Sequence, residues 1–191
     1  VAFEEAIAEA LKFYAKHPDE TLIVVTGDHE TGGMTIGFAG TGYKTFFSKL
    51  GGQTLSYEEF DKQIKTYRDQ VGASNANLDD WLPALANQFG MNELTAYEKN
   101  RLAQALAFSM IDPKKRPADE ETTLAYGPYE PFSVTVTHLL NQRAGIGWTT
   151  YAHTGVAVPV YAQGTGSGVF DGYYDNTDVA KKMMNIMGVS K

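Results

Sequence analysis

The sequence contains no cysteine, so neither a thiolate metal site nor a disulfide framework is available, and the compartment is left open. No stretch approaches the roughly 20 apolar residues of a membrane span. Positive charge is scarce: 16 Lys and Arg face 23 Asp and Glu, for a net charge of −7. A phosphate backbone needs a basic face, which argues against nucleic-acid binding as a main activity. Acidity does not forbid a small anionic substrate, because bound cations can dominate the local field of a site. The chain also lacks an initiator methionine and a signal peptide, and Val1-Ala2-Phe3-Glu4-Glu5 already lies inside a helical pattern. It therefore reads as a fragment of a longer protein. Its 191 residues suffice for one well-packed domain, or for a core with a sizeable insertion.

What is present centres on residues 21–33, Thr-Leu-Ile-Val-Val-Thr-Gly-Asp-His-Glu-Thr-Gly-Gly. Leu22 to Val25 form an apolar, β-branched run that reads as a strand buried on both faces, as in a parallel sheet flanked by helices. Asp28 and His29 follow at the strand exit, where ligands bind in open α/β sheets. An Asp oxygen and a His nitrogen are both good zinc ligands. The competing interpretation of this dipeptide is a capped turn with a hydrogen-bonded histidine.

Upstream, Phe3, Ala6, Ile7, Ala10, Leu11 and Tyr14 fall at helical spacing, and His17-Pro18 ends that helix. A short strand is expected over Met34 to Ala39. Residues 40–130 then change character. Capping boxes at Ser56–Glu59 and Thr95–Glu98 and an N-cap at Asn77 predict three helices. Lys114, Lys115 and Arg116 read as a solvated basic loop. After Pro131 a helix runs to a glycine C-cap at Gly145, carrying His138 as a packed or surface residue rather than a ligand. Val156 to Ala162 is expected to form a strand near a sheet edge, because it contains a proline. A last helix, capped at Asn176, would lay Val179, Met183, Ile186 and Met187 on the sheet. The chain thus divides into a first part of an α/β core (1–39), a helical insertion (40–130) and a second part of the core (131–191). The insertion is read as structural decoration, with a lid or a homodimer contact as the other roles open to it.

A second segment, Tyr151-Ala152-His153-Thr154-Gly155-Val156-Ala157-Val158-Pro159-Val160-Tyr161-Ala162-Gln163-Gly164, changes the weight of the first. Together the two resemble the alkaline phosphatase family, which carries a strand ending in Thr-x-Asp-His and, later, a His-Thr-Gly segment running into Val-Pro-Val-Tyr-Ala-x-Gly. The resemblance implies a three-layer α/β/α sandwich core of the alkaline phosphatase type, here partial. It implies hydrolysis of phosphate monoesters, phosphorylated small molecules being the partners, around two zinc ions with magnesium nearby. It also implies a periplasmic or secreted parent protein. Asp28 and His29 would correspond to ligands of the zinc that activates the nucleophile. His153 would correspond to a ligand of the zinc that binds the leaving-group oxygen, and Thr31 lies where some members have a supporting histidine. The family's nucleophile, phosphate-binding arginine and remaining ligands match nothing here, so the isolated chain is expected to be inactive and to bind zinc weakly. Two alternatives remain at this stage. One is a metal-dependent phosphomutase of the same superfamily, whose members carry Asp-His-Gly instead. The other is a noncatalytic interaction module.

Overall fold

The computed structural model describes residues 2–189. In chain order these form α1 (Ala2–Tyr14), β1 (Leu22–Thr26), β2 (Thr35–Ile36), α2 (Tyr57–Val71), α3 (Leu82–Phe89), α4 (Ala96–Ser109), α5 (Glu120–Tyr126), α6 (Pro131–Ala144), β3 (Ile146–Gly147), β4 (Val160–Gly164) and α7 (Asn176–Ile186), joined by short 3-10 turns. The fold is α/β, with helix predominating. The described residues fall into two compact units, one formed by residues up to Thr31 and from His153 onward, the other by Gly32 to Ala152.

In the first unit β1 pairs with β4, with Leu22 opposite Gly164 and Thr26 opposite Val160. The pairing is antiparallel, and Leu22 to Val25 are half-buried. This corrects the expectation of a parallel strand covered on both faces. A β-branched run reports that a strand favours burial, but not which neighbours supply it. The second strand also starts later than expected. Proline has no N–H to give a ladder, so pairing begins at Val160, immediately after Pro159, whose carbonyl accepts from the Thr26 hydroxyl at 3.1 Å. The α7 cap lies one residue earlier than expected: the Asp175 carboxylate accepts from the Thr177 N–H at 2.9 Å. On α7, Val179 and Ile186 are half-buried, while Met187 is exposed. On α1, Phe3 and Leu11 of the expected apolar face are exposed, together with Phe13.

The second unit holds the large core. Phe60 and Ile64 of α2, Leu85 and Phe89 of α3, Leu102 and Leu106 of α4, and Phe132, Val136, Leu139 and Leu140 of α6 pack as one cluster. At its centre the Phe60 ring meets Trp81, Phe89 and Phe132 at centroid separations of 5.3, 4.8 and 5.8 Å. The helix starts follow the sequence closely. Ser56 accepts from the Glu59 N–H, and Thr95 and Glu98 form both halves of a capping box. Asn77 caps a 3-10 turn, Leu78–Trp81, that leads into α3. Helix α6 ends at Gly145 in a left-handed conformation, φ 83°.

Sequence pattern puts 131–191 with the α/β core, whereas α6 packs in the helical unit. Pro131 through Val136, with Leu139, Leu140 and Ala144, are buried, while Thr137, His138, Asn141, Gln142 and Arg143 are only half-buried. A first half covered on every side needs neighbours all round, and α6 finds them in α2, α4 and α5. Strand β2 pairs with β3 in the same unit. The basic loop also departs from expectation. Lys114 and Lys115 are exposed, but the Arg116 side chain is only 13% exposed and grips both carboxylate oxygens of Glu130 at 2.9 Å.

Candidate metal centre

Strand β1 delivers the chain to Gly27, and the next two residues turn out of the ladder. The Asp28 side chain is 86% exposed and that of His29 40%. The Asp28 carboxylate is held locally, with Oδ1 accepting from the His29 backbone N–H at 3.0 Å. Its other oxygen, Oδ2, lies 3.2 Å from His29 Nε2. His153 arrives from far along the sequence but within the same unit, and its ring stands 3.5 Å, centroid to centroid, from that of His29, tilted by 38°. His29 therefore lies beside each of the other two residues that the sequence singles out.

A fourth residue organises them. The Glu30 carbonyl oxygen lies 2.7 Å from His29 Nδ1 and 3.1 Å from His153 Nδ1. A carbonyl oxygen has two lone pairs and can only accept, so both Nδ1 atoms carry the proton. That leaves Nε2 of each ring as the atom available for a second partner. The Glu30 side chain also accepts from the Thr154 backbone N–H, tying the early segment to the His-Thr-Gly segment. Sequence reasoning missed Glu30. Nothing in its spacing marks it, because the partners that join it to the later segment lie 123 and 124 residues away.

These facts bear on whether the residues suit a cation. His29 Nε2 and Asp28 Oδ2 face each other at 3.2 Å, a contact that either a proton on Nε2 or a cation held by both atoms satisfies. Two ligands of one tetrahedral zinc, each about 2.0–2.1 Å from the metal, are separated by about 3.3 Å, close to the 3.2 Å seen. Orientation of a ligating imidazole through its other ring nitrogen to a backbone carbonyl is the usual supporting arrangement. Asp28 and His29 are thus of ligand type and spaced as two ligands of one zinc would be. Among the described residues, no group of three or more His, Asp or Glu side chains gathers as a metal-holding cluster. Asp28 and His29 also line a cleft of about 1010 Å³ that runs past Thr154 to Val160 and Tyr173.

The other two histidines are placed differently. His17 stacks on Phe13 at 4.7 Å. His138 stacks on Tyr151 at 5.5 Å and 10°, and burial first, then Arg101, pushes its pKa below the ordinary imidazole value.

Comparison with known proteins gives a consistent result. The family model for alkaline phosphatase matches residues 1–189. Alkaline phosphatase 3 of Bacillus subtilis is 29% identical over 97% of this chain and 34% of its own length. Alkaline phosphatase 4 of the same organism is 30% identical over 99% of this chain and 34% of its length. A crystal structure of a cold-active alkaline phosphatase from a psychrophilic Shewanella species superposes with a TM-score of 0.65 at 29% identity, covering 99% of this chain and 39% of that one. The chain spans about a third of the length of the curated relatives it matches.

Proposed function

The chain belongs to the alkaline phosphatase family, and on that premise we propose that it contributes Asp28, His29 and His153 to a two-zinc centre that hydrolyses phosphate monoesters. The observation that carries this reading is the Asp28–His29 pair, Oδ2 and Nε2 3.2 Å apart, with His29 Nδ1 bonded to the Glu30 carbonyl. Paired divalent ions about 3.5–4 Å apart stabilise the attacking and leaving oxygens of an in-line displacement. In that centre Asp28 and His29 would hold one zinc, and His153 would serve the other. Asp28 would supply negative charge, and the two imidazoles would ligate in their uncharged form. The Glu30 carbonyl keeps both rings in the tautomer that ligation needs.

Two protein ligands for one zinc and one for the other fall short of the three that a catalytic zinc usually has. The isolated chain accordingly binds zinc weakly and does not turn over phosphate esters; the complete site draws on the two thirds of the family fold that this chain does not span, magnesium ligands included. The three-layer α/β/α sandwich belongs to the same proposal. Support for it comes from the half-buried β1 and the exposed Phe3, Leu11 and Phe13 of α1, which leave apolar surface for further layers.

The test is p-nitrophenyl phosphate hydrolysis by the chain alone and by a family member carrying this chain in place of its own matching segment. We expect no turnover above free zinc for the chain. The chimaera should be active, lose its activity to a chelator, and fall by several orders of magnitude with Asp28→Ala or His153→Ala. Robust hydrolysis by the isolated chain would refute the ligand count, and an active Asp28→Ala chimaera would refute the metal role.

A further inference from the structure

We propose that Glu30 is a positioning residue whose carboxylate holds the His153 segment in place so that one backbone carbonyl can orient both imidazoles. The inference rests in part on the metal reading above, but its geometric core does not. Two contacts of residue 30 join it to the histidine segments. Its carbonyl oxygen accepts from Nδ1 of His29 and of His153. Its side chain accepts from the backbone N–H of Thr154, the residue after His153. The ring of His29 is anchored by its sequence neighbour and needs nothing further. His153 lies 123 residues from that carbonyl and reaches it only while its segment is held there. A carboxylate accepting from a backbone N–H is a charge-assisted bond, about twice as strong as a neutral one. The side chain therefore controls the position of His153, while the carbonyl controls the tautomer of both rings.

The two contacts are separable by mutation, because a side-chain substitution leaves the carbonyl in place. Glu30→Ala removes the tether to Thr154 but not the acceptor for His29. Glu30→Gln keeps a side-chain oxygen that can accept from Thr154. His29 thus serves as an internal control for His153.

The experiment uses the metal-free chain, chelator-treated, with ¹⁵N-labelled histidine at about pH 8, above the ordinary imidazole pKa of about 6.5. Long-range ¹H–¹⁵N spectra read the tautomer of each ring, and hydrogen exchange reads the Thr154 amide. Expected for the parent and Glu30→Gln is an Nδ1–H tautomer on both rings with a protected Thr154 amide. In Glu30→Ala, His153 should lose its fixed tautomer and the Thr154 amide should exchange roughly tenfold faster or more, with His29 unchanged. Zinc titration followed by the same resonances in the family-member chimaera, which carries the complete site, should then show affinity at His153 weakened by roughly 10–100-fold. Unchanged His153 and Thr154 signals in Glu30→Ala would overturn the proposal, as would simultaneous loss of the His29 tautomer, which would indicate general collapse of the turn. If the tether signals behave as expected but zinc moves no resonance in any variant, the positioning role stands and the metal reading falls.

Discussion

Glu98 is 7% exposed, and its carboxylate faces the Arg143 guanidinium through Nε and Nη2 at 2.5 and 2.7 Å. Arg143 also donates to the Glu93 carbonyl. Burial alone would raise the Glu98 pKa, but hydrogen bonds from Arg143 and the Thr95 N–H outweigh it and leave the carboxyl below its ordinary value of 4.5. A depressed carboxylate stabilises the fold above its unfolded pKa, and that contribution is lost as pH falls through the folded value. Arg143→Ala strands a buried charge and should cost about 3–5 kcal/mol at pH 7. Urea denaturation should show the difference between variant and parent shrinking as pH is lowered below about 4.5. A difference that is flat with pH would assign the loss to packing instead. Arg116 teaches a related lesson. It sits in a run of three basic residues, yet its guanidinium is bonded to Glu130 and to the Ser109 carbonyl, at 3.1 Å.

At the scale of elements, the caps and the glycines can be set against each other. Thr95 and Glu98 satisfy orphan donors at the start of α4 in both directions, so Thr95→Ala should cost about 1 kcal/mol. Gly164 ends β4 at φ 109°. An added Cβ there would collide with the Thr21 carbonyl oxygen, and neither the backbone angle nor the neighbour can yield cheaply. Gly164→Ala should therefore open the β1–β4 pair and expose its amides to exchange, while the helices of the other unit stay protected. Thr95→Ala should do the reverse, loosening α4 and sparing the strand pair. Hydrogen exchange on the two variants checks both statements. Equal loosening of both units by either change would contradict the division into separately packed parts.

At the scale of the whole molecule, apolar burial is distributed unevenly. Of the buried hydrophobic side chains among the described residues, all but Phe170 belong to Gly32–Ala152. The unit that carries Asp28, His29 and His153 instead exposes Phe3, Phe13, Tyr161 and Met187. At about 25 cal/mol per Å² of apolar area removed from water, a unit with so little covered area has little to offset its chain entropy. Native-state exchange should accordingly show β1 and β4 opening at lower free energy than α4 and α6. The isolated chain should also bind an apolar dye such as ANS, and substituting Phe3 and Phe13 by Glu should reduce that binding without altering exchange in α4 and α6. Uniform protection across both units would show that the uneven core has no energetic consequence.

Much of the local structure was legible because it depends on neighbours a few residues away. Ser56, Asn77 and Thr95 announce helix starts through bonds spanning two or three residues, and Gly145 announces an end through its own φ. Asp28, His29 and His153 stood out in the sequence by residue type and by a resemblance spanning two short segments, and in the fold His29 lies beside both of the others. Partners across the fold decided the rest. Only the chain path could make β1 an antiparallel neighbour of β4 or draw α6 into the helical core, since an apolar run specifies burial and not the surface that provides it. Likewise, nothing short of the folded chain could place the Glu30 carbonyl between two imidazoles, because that contact is a matter of position in space and leaves no periodic trace along the sequence.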